Sequence, residues 1–118
     1  MKNMFDGCRN FTGEGLKFWN VSNVINMSYM FFWCYKFNSD LSDWNVSNVT
    51  NMSYMFVRCY KFNYDLSDWD VSKVTNMSWM FCDCKEFVSD LSKWNVSKGT
   101  NITHMFDYCN KLKIPSWY

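Results

Sequence analysis

The sequence predicts an α/β solenoid with one short strand and one short helix in each 25-residue repeat, and three observations carry that expectation. The unit WNVSNVTNMSYMFVRCYKFNYDLSD, residues 44–68, occurs four times without a gap, with copies beginning at Trp19, Trp44, Trp69 and Trp94. Within each copy the spacing of apolar residues changes from two to three and four. The chain has the means to fill a core, with 48% hydrophobic and 21% aromatic residues among its 118. One domain is expected. It divides into a partial repeat at 1–18, full repeats at 19–43, 44–68 and 69–93, and a last repeat at 94–118 that serves as the C-terminal cap.

The strand is placed at Trp44 and Val46, whose spacing of two sets both on one side of an extended chain. From Val49 the apolar residues Met52, Met55, Phe56 and Cys59 follow at helical spacing, so a short helix is expected over 50–59, capped by Ser47 or Thr50. So short a helix needs neighbouring repeats to persist. Stacking places equivalent residues above one another: the four repeat-initial tryptophans, the Met-Phe pairs at 30-31, 55-56, 80-81 and 105-106, and Asn26, Asn51, Asn76 and Asn101. The asparagines are expected to serve turn backbone, and Asp40, Asp65 and Asp90 to cap the turn before each strand. The ends depart from the pattern, with an extra residue in TGEG at 12–15 and with KIPSWY at 113–118.

A net charge of +1, from twelve basic and eleven acidic residues spread along the chain, offers no footprint for nucleic acid. The apolar runs are too short for membrane insertion, and the start, MKNMFDGC, lacks the apolar run of a signal peptide. Of the six cysteines, Cys34, Cys59, Cys84 and Cys109 hold one repeat position, with Cys8 as their counterpart in the partial repeat. A residue recurring at a buried phase acts as a small hydrophobe, so reduced thiols are expected, although a ladder spacing of about 5 Å would also admit disulfides. Cys82, two residues before Cys84, is expected to face outward.

Motifs for chemistry are absent: no phosphate loop, dinucleotide fingerprint or metal-ligand cluster, and a single histidine, His104, at a position held elsewhere by Tyr29, Tyr54 and Trp79. No cofactor, metal or catalytic residue is expected. The Asn-x-Ser/Thr sequences sit at fixed repeat positions, where a glycan would collide with packed neighbours.

The motif W-[ND]-V-S-x-V-T-N-M-S-x-M-F-x-x-C-x-x-F-x-x-D-L-S resembles the 25-residue repeat of the BspA-type leucine-rich-repeat surface proteins over residues 19–112, most specifically at 49–56 and 74–81. That resemblance implies a right-handed, leucine-rich-repeat-like solenoid used for binding or adhesion, displayed on a cell surface or a virion. The expected function is a non-enzymatic protein-binding, adhesion or scaffold module. The alternative is a structural component of a larger assembly, such as a virus particle or cell-surface layer. The partner is then a protein or a further copy of the chain. Helical phase points Tyr29, Phe32, Trp33, Tyr54 and Val57 outward as an apolar patch, unless residues 1–18 cover it, and these five are the expected partner-binding residues.

Overall fold

Where the backbone hydrogen bonds go decides the architecture. In the computed structural model, which describes residues 1–118, the N–H groups of Met27, Tyr29, Phe31 and Trp33 donate to the carbonyls of Asn51, Ser53, Met55 and Val57 at 2.9, 3.0, 2.9 and 2.8 Å. The same pattern joins Met52, Tyr54, Phe56 and Arg58 to Asn76, Ser78, Met80 and Cys82, and recurs one repeat further on. Parallel bridges at Asn26, Asn51, Asn76 and Asn101 set the register. The intervening N–H groups close turns within their own rung: Met30 to the Met27 carbonyl, Phe32 to Tyr29 and Cys34 to Phe31, at 3.2, 3.2 and 3.0 Å.

This alternation excludes a helix. An α-helix needs each N–H to reach the carbonyl four residues back, but here every second N–H is spent on the next rung. Tyr29 and Trp33 adopt positive φ (58° and 61°), each at the third position of a turn, as a type II turn requires. A left-handed residue every fourth position also returns apolar side chains to one side at i, i+3, i+4 and i+7. Turn repeats therefore reproduced the helical spacing seen in the sequence. The expected strand fails too, because the tryptophan segments are further turns: Trp44 N–H bonds the Leu41 carbonyl and Val49 N–H the Val46 carbonyl, both at 3.0 Å. The expected leucine-rich-repeat-like α/β solenoid is thus overturned. The sole helix is a 3₁₀ turn at Leu16–Phe18, and the chain is a stack of rungs made almost wholly of turns.

Asn and Asp side chains build those turns. Asn26, Asn51 and Asn76 accept the N–H of Ser28, Ser53 and Ser78, and Asn101 that of Thr103, at 2.9–3.0 Å. Asp40, Asp65 and Asp90 do the same for Ser42, Ser67 and Ser92, and Asn45 and Asp70 for Ser47 and Ser72. Each is an Asx turn, in which a side-chain oxygen takes the N–H two residues on. The Asn-x-Ser spacing is explained by this geometry, and Asp and Asn serve it equally well.

Side chains stack in register inside the rungs. Phe5, Phe31, Phe56, Phe81 and Phe106 form one pillar with ring centroids 5.7, 5.5, 5.4 and 6.0 Å apart. Phe11, Phe37, Phe62 and Phe87 form a second beside it. The indole N–H of Trp44, Trp69 and Trp94 donates to the carbonyl of Leu16, Leu41 and Leu66 at 2.8–2.9 Å. Trp19 departs from the expected ladder and is exposed. Trp117 joins it instead: its N–H meets the Leu91 carbonyl at 2.8 Å, and its ring lies 6.3 Å from that of Trp94. The thiols of Cys34, Cys59, Cys84 and Cys109 donate to the carbonyls of Phe5, Phe31, Phe56 and Phe81 at 2.9–3.1 Å, and all six cysteines are free. Burial pushes the Cys34 and Cys109 thiols up to about 12, and those of Cys59 and Cys84 well above the ordinary range. Gly13, at φ 90°, is where the N-terminal segment crosses the second pillar, and a Cβ there would lie 2.4 Å from the Phe37 ring.

Trp69→Ala should cost about 3–5 kcal/mol, from the cavity and the lost indole hydrogen bond to the Leu41 carbonyl, which keeps only the Trp44 N–H. Trp117→Ala, losing one half-buried ring contact and one hydrogen bond, should cost about 1–2 kcal/mol; urea titration of both variants measures the difference.

Hydrogen bonds from the serine two residues on hold the carboxyls of Asp40, Asp65, Asp70 and Asp90 below their ordinary value of 3.8. The unfolded chain therefore takes up protons first as pH falls, so the stability these groups contribute is present above about pH 4 and is lost below it. Changing all four to Asn keeps each turn and removes the titration. The gap between the urea midpoints at neutral pH and near pH 3 should narrow in that variant.

Candidate functional site

The positive-φ positions organise one face of the stack. Apart from Asn3, every non-glycine residue with positive φ belongs to one of two ladders, Tyr29, Tyr54, Trp79 and His104, or Trp33, Arg58, Asp83 and Tyr108. Left-handed backbone is steric work for a residue with a Cβ, roughly 1–2 kcal/mol, and Asn and Gly bear it most easily. In the partial first rung, Asn3 N–H bonds the Ser28 carbonyl as Tyr29 N–H bonds that of Ser53, and Gly7 bonds Phe32 as Trp33 bonds Val57. Asn3 and Gly7 thus hold the two left-handed positions there, at φ 61° and 73°. In the full rungs, large aromatic and charged residues stand in the same conformations.

Their side chains form the walls of a groove of about 290 Å³ lined by Phe32, Trp33, Tyr54, Val57, Arg58, Trp79, Cys82, Asp83 and Tyr108. On one wall Tyr29 stacks on Tyr54 at 4.6 Å, Tyr54 faces Trp79 at 6.0 Å, and Trp79 meets His104 at 4.4 Å. The rings lie against one another along the stack. On the other wall the Arg58 guanidinium sits 4.9 Å from the centre of the Trp33 ring and 3.6 Å from the Asp83 carboxylate, which also meets Lys85 at 3.3 Å. At the far end the His104 ring is 2.7 Å from Asp107.

Of the five expected residues, Tyr29, Phe32, Trp33 and Tyr54 are half-buried on this face, and all but Tyr29 line the groove. Val57 is corrected: it is buried and forms floor. Cys82 is corrected likewise, being 6% exposed, and burial followed by the nearby carboxylates of Asp107 and Asp83 raises its thiol. Both lie between the walls because their rung position falls inside a turn, where helical geometry would have turned them outward. Residues 1–18 stack against the end of the first full rung through Asn3, Phe5 and Gly7 and leave Phe32 and Trp33 half-exposed. Helical phase also sets Trp79, Asp83 and Tyr108, the repeat equivalents of Tyr54 and Trp33, on the outer surface, and the groove adds them to the expected residues. Asn3 and Gly7 are the residue types that mark the same positions as left-handed. No group of three or more His, Cys, Asp or Glu is arranged to hold a metal ion, and no helix is long and apolar enough to cross a membrane.

Fold and face together define a turn-built repeat protein with an aromatic groove along one face. The chain belongs to the family described as "Mycoplasma protein of unknown function, DUF285", which matches it over residues 1–117. No curated protein and no solved structure matches it.

Tyr108 separates backbone strain from packing, since it is 70% exposed, has positive φ and stacks on no other ring. Tyr108→Asn should stabilise the fold by about 0.5–1 kcal/mol. Tyr54→Asn, which forfeits stacking on both sides, should destabilise it. A loss of stability in Tyr108→Asn, read by thermal or urea unfolding, would mean that the left-handed position is not strained.

Proposed function

We propose that the chain is a non-enzymatic protein-binding or adhesion module, with the aromatic groove as its partner surface. One observation carries the reading: strained backbone positions that Asn and Gly fill in the first rung are filled with Tyr, Trp, Arg, Asp and His along the groove. Strain kept at a set of adjacent positions points to a role beyond folding. Exposed aromatics and arginine are also the residues that most often anchor protein interfaces. The resemblance of the repeat to that of the BspA-type surface proteins supports adhesion at a cell surface as the setting. A role as a structural component of a larger assembly is the second reading.

The test is a double substitution, Phe32→Val with Trp33→Asn. Val already occupies the equivalent position at Val57, and Asn tolerates the left-handed conformation. Arg at position 33 would instead face Arg58. Immobilised parent and variant chains are compared for capture from native lysate, with the captured proteins identified by mass spectrometry. The parent should retain a defined partner that the variant loses by tenfold or more, with thermal unfolding showing both chains folded at the capture temperature. Equal capture by both proteins would remove the groove as the partner surface.

A further inference from the structure

Arg58 is the one cation among the residues that line the groove, and two contacts fix the plane of its guanidinium. The fork lies over the Trp33 ring, 4.9 Å from its centre, and Nε is 3.6 Å from the Asp83 carboxylate. The terminal nitrogens reach no acceptor in the chain. Asp83 has a second partner in Lys85, at 3.3 Å. Its side chain is 17% exposed against 43% for that of Arg58, so this wall offers solvent the cation rather than the carboxylate. Beyond the wall, Lys36 and Lys61 are exposed and belong to no ion pair. The other carboxylates nearby are occupied: Glu86 by Lys111 at 2.7 Å, Asp107 by the His104 ring at 2.7 Å and Asp6 by the Asn3 amide at 3.2 Å. Positive charge without a partner therefore stands on one side of the groove.

The rings narrow the choice of anion. Tyr54 lies between Tyr29 and Trp79, and Trp79 between Tyr54 and His104. Phe32 stacks on Trp33 at 5.2 Å, and Arg58 sits over that ring as well. Their faces are thus spent on one another along the stack, and the groove receives mainly ring edges. Binding of a nucleic-acid strand uses successive open faces on which bases stack. Tyr108 is the one groove ring without a ring neighbour, and a single platform does not track a strand. Ring edges carry the positive side of the aromatic quadrupole, which suits carboxylate and carbonyl oxygens. The floor between the walls, at Val57 and Cys82, is apolar and buried.

We infer that the groove takes an acidic segment of a partner protein: an apolar side chain rests on the Val57 and Cys82 floor, and a neighbouring Asp or Glu carboxylate is held by the Arg58 fork. The inference rests on the reading of the groove as the partner surface and names the chemistry of what it binds. A planar guanidinium matches a carboxylate with two parallel N–H donors, and arginine is a common reader of acidic motifs. Trp33 and Asp83 hold the fork in place before the segment arrives, so less side-chain freedom is lost on binding. Lys36 and Lys61 attract further carboxylates of the same segment, an attraction that salt screens.

A random-heptapeptide library displayed on phage is panned on the immobilised parent chain. Recovered peptides should be enriched in Asp and Glu beside an apolar residue. A synthetic peptide of the recovered sequence should bind Arg58→Gln about tenfold more weakly than the parent. Replacing its carboxylates by amides one at a time should find one whose loss matters in the parent and not in Arg58→Gln. That variant leaves Asp83 its Lys85 partner, and thermal unfolding checks that it is folded. The pair Lys36→Gln and Lys61→Gln alters two exposed side chains outside any ion pair, so it tests the charge without touching the groove. It should weaken the same peptide and flatten the salt dependence of its binding. A neutral or basic consensus, no recovered peptide, or peptide and Arg58 losses that simply add would overturn the inference. Tighter binding of heparin or oligothymidylate than of the peptide would overturn it too. A lysate partner lost by the Phe32→Val, Trp33→Asn variant but kept by Arg58→Gln would leave the groove as the partner surface and remove only its preference for acidic segments.

Discussion

Every second N–H between residues 27 and 33, and at the equivalent positions of the two rungs that follow, leaves its own rung for the next one. The rest of the structure depends on that division. A chain that sends alternate donors sideways cannot also complete a helix, so the remaining N–H groups must close turns. Turns of this kind need left-handed residues at regular intervals. Regular left-handed residues in turn fix which side chains face inward, and the phenylalanine pillars, the tryptophan ladder and the thiol ladder all follow from them.

Polar side chains complete what the backbone leaves open. No buried side-chain nitrogen or oxygen lacks a partner. In a rung without helix or strand this needs dedicated groups at many corners. The Asx turns serve serine and threonine N–H groups, the indoles serve leucine carbonyls and the thiols serve phenylalanine carbonyls. Because each such bond recurs once per rung, its contribution is multiplied along the stack, as expected where neighbouring units stabilise one another.

The groove follows from the same backbone. Left-handed positions present their side chains side by side on one face, where successive rungs bring them within stacking distance. The rungs are free to differ there because those side chains stand outside the pillars. Trp33, Arg58, Asp83 and Tyr108 show this: one rung position holds four unlike residues, and neighbouring pairs make a cation–π contact and an ion pair.

The period, the register and the identity of the core ladders were legible in the sequence, because identical residues 25 apart must meet when units stack, whatever their internal conformation. Thus Met27, Phe31, Cys34 and Trp44 were recognisable as interior. The conformation of the rung was not legible. Apolar residues at 27, 30, 31 and 34 satisfy a helix and a series of turns equally, since both return to the same side after three or four residues. The choice between them rests on hydrogen bonds to a rung 25 residues away, which local sequence does not encode. The groove shared that fate. Tyr29, Phe32, Trp33 and Tyr54 were visible as outward aromatics, while Val57 and Cys82 became floor only because tertiary pairing set the turn in which each residue lies.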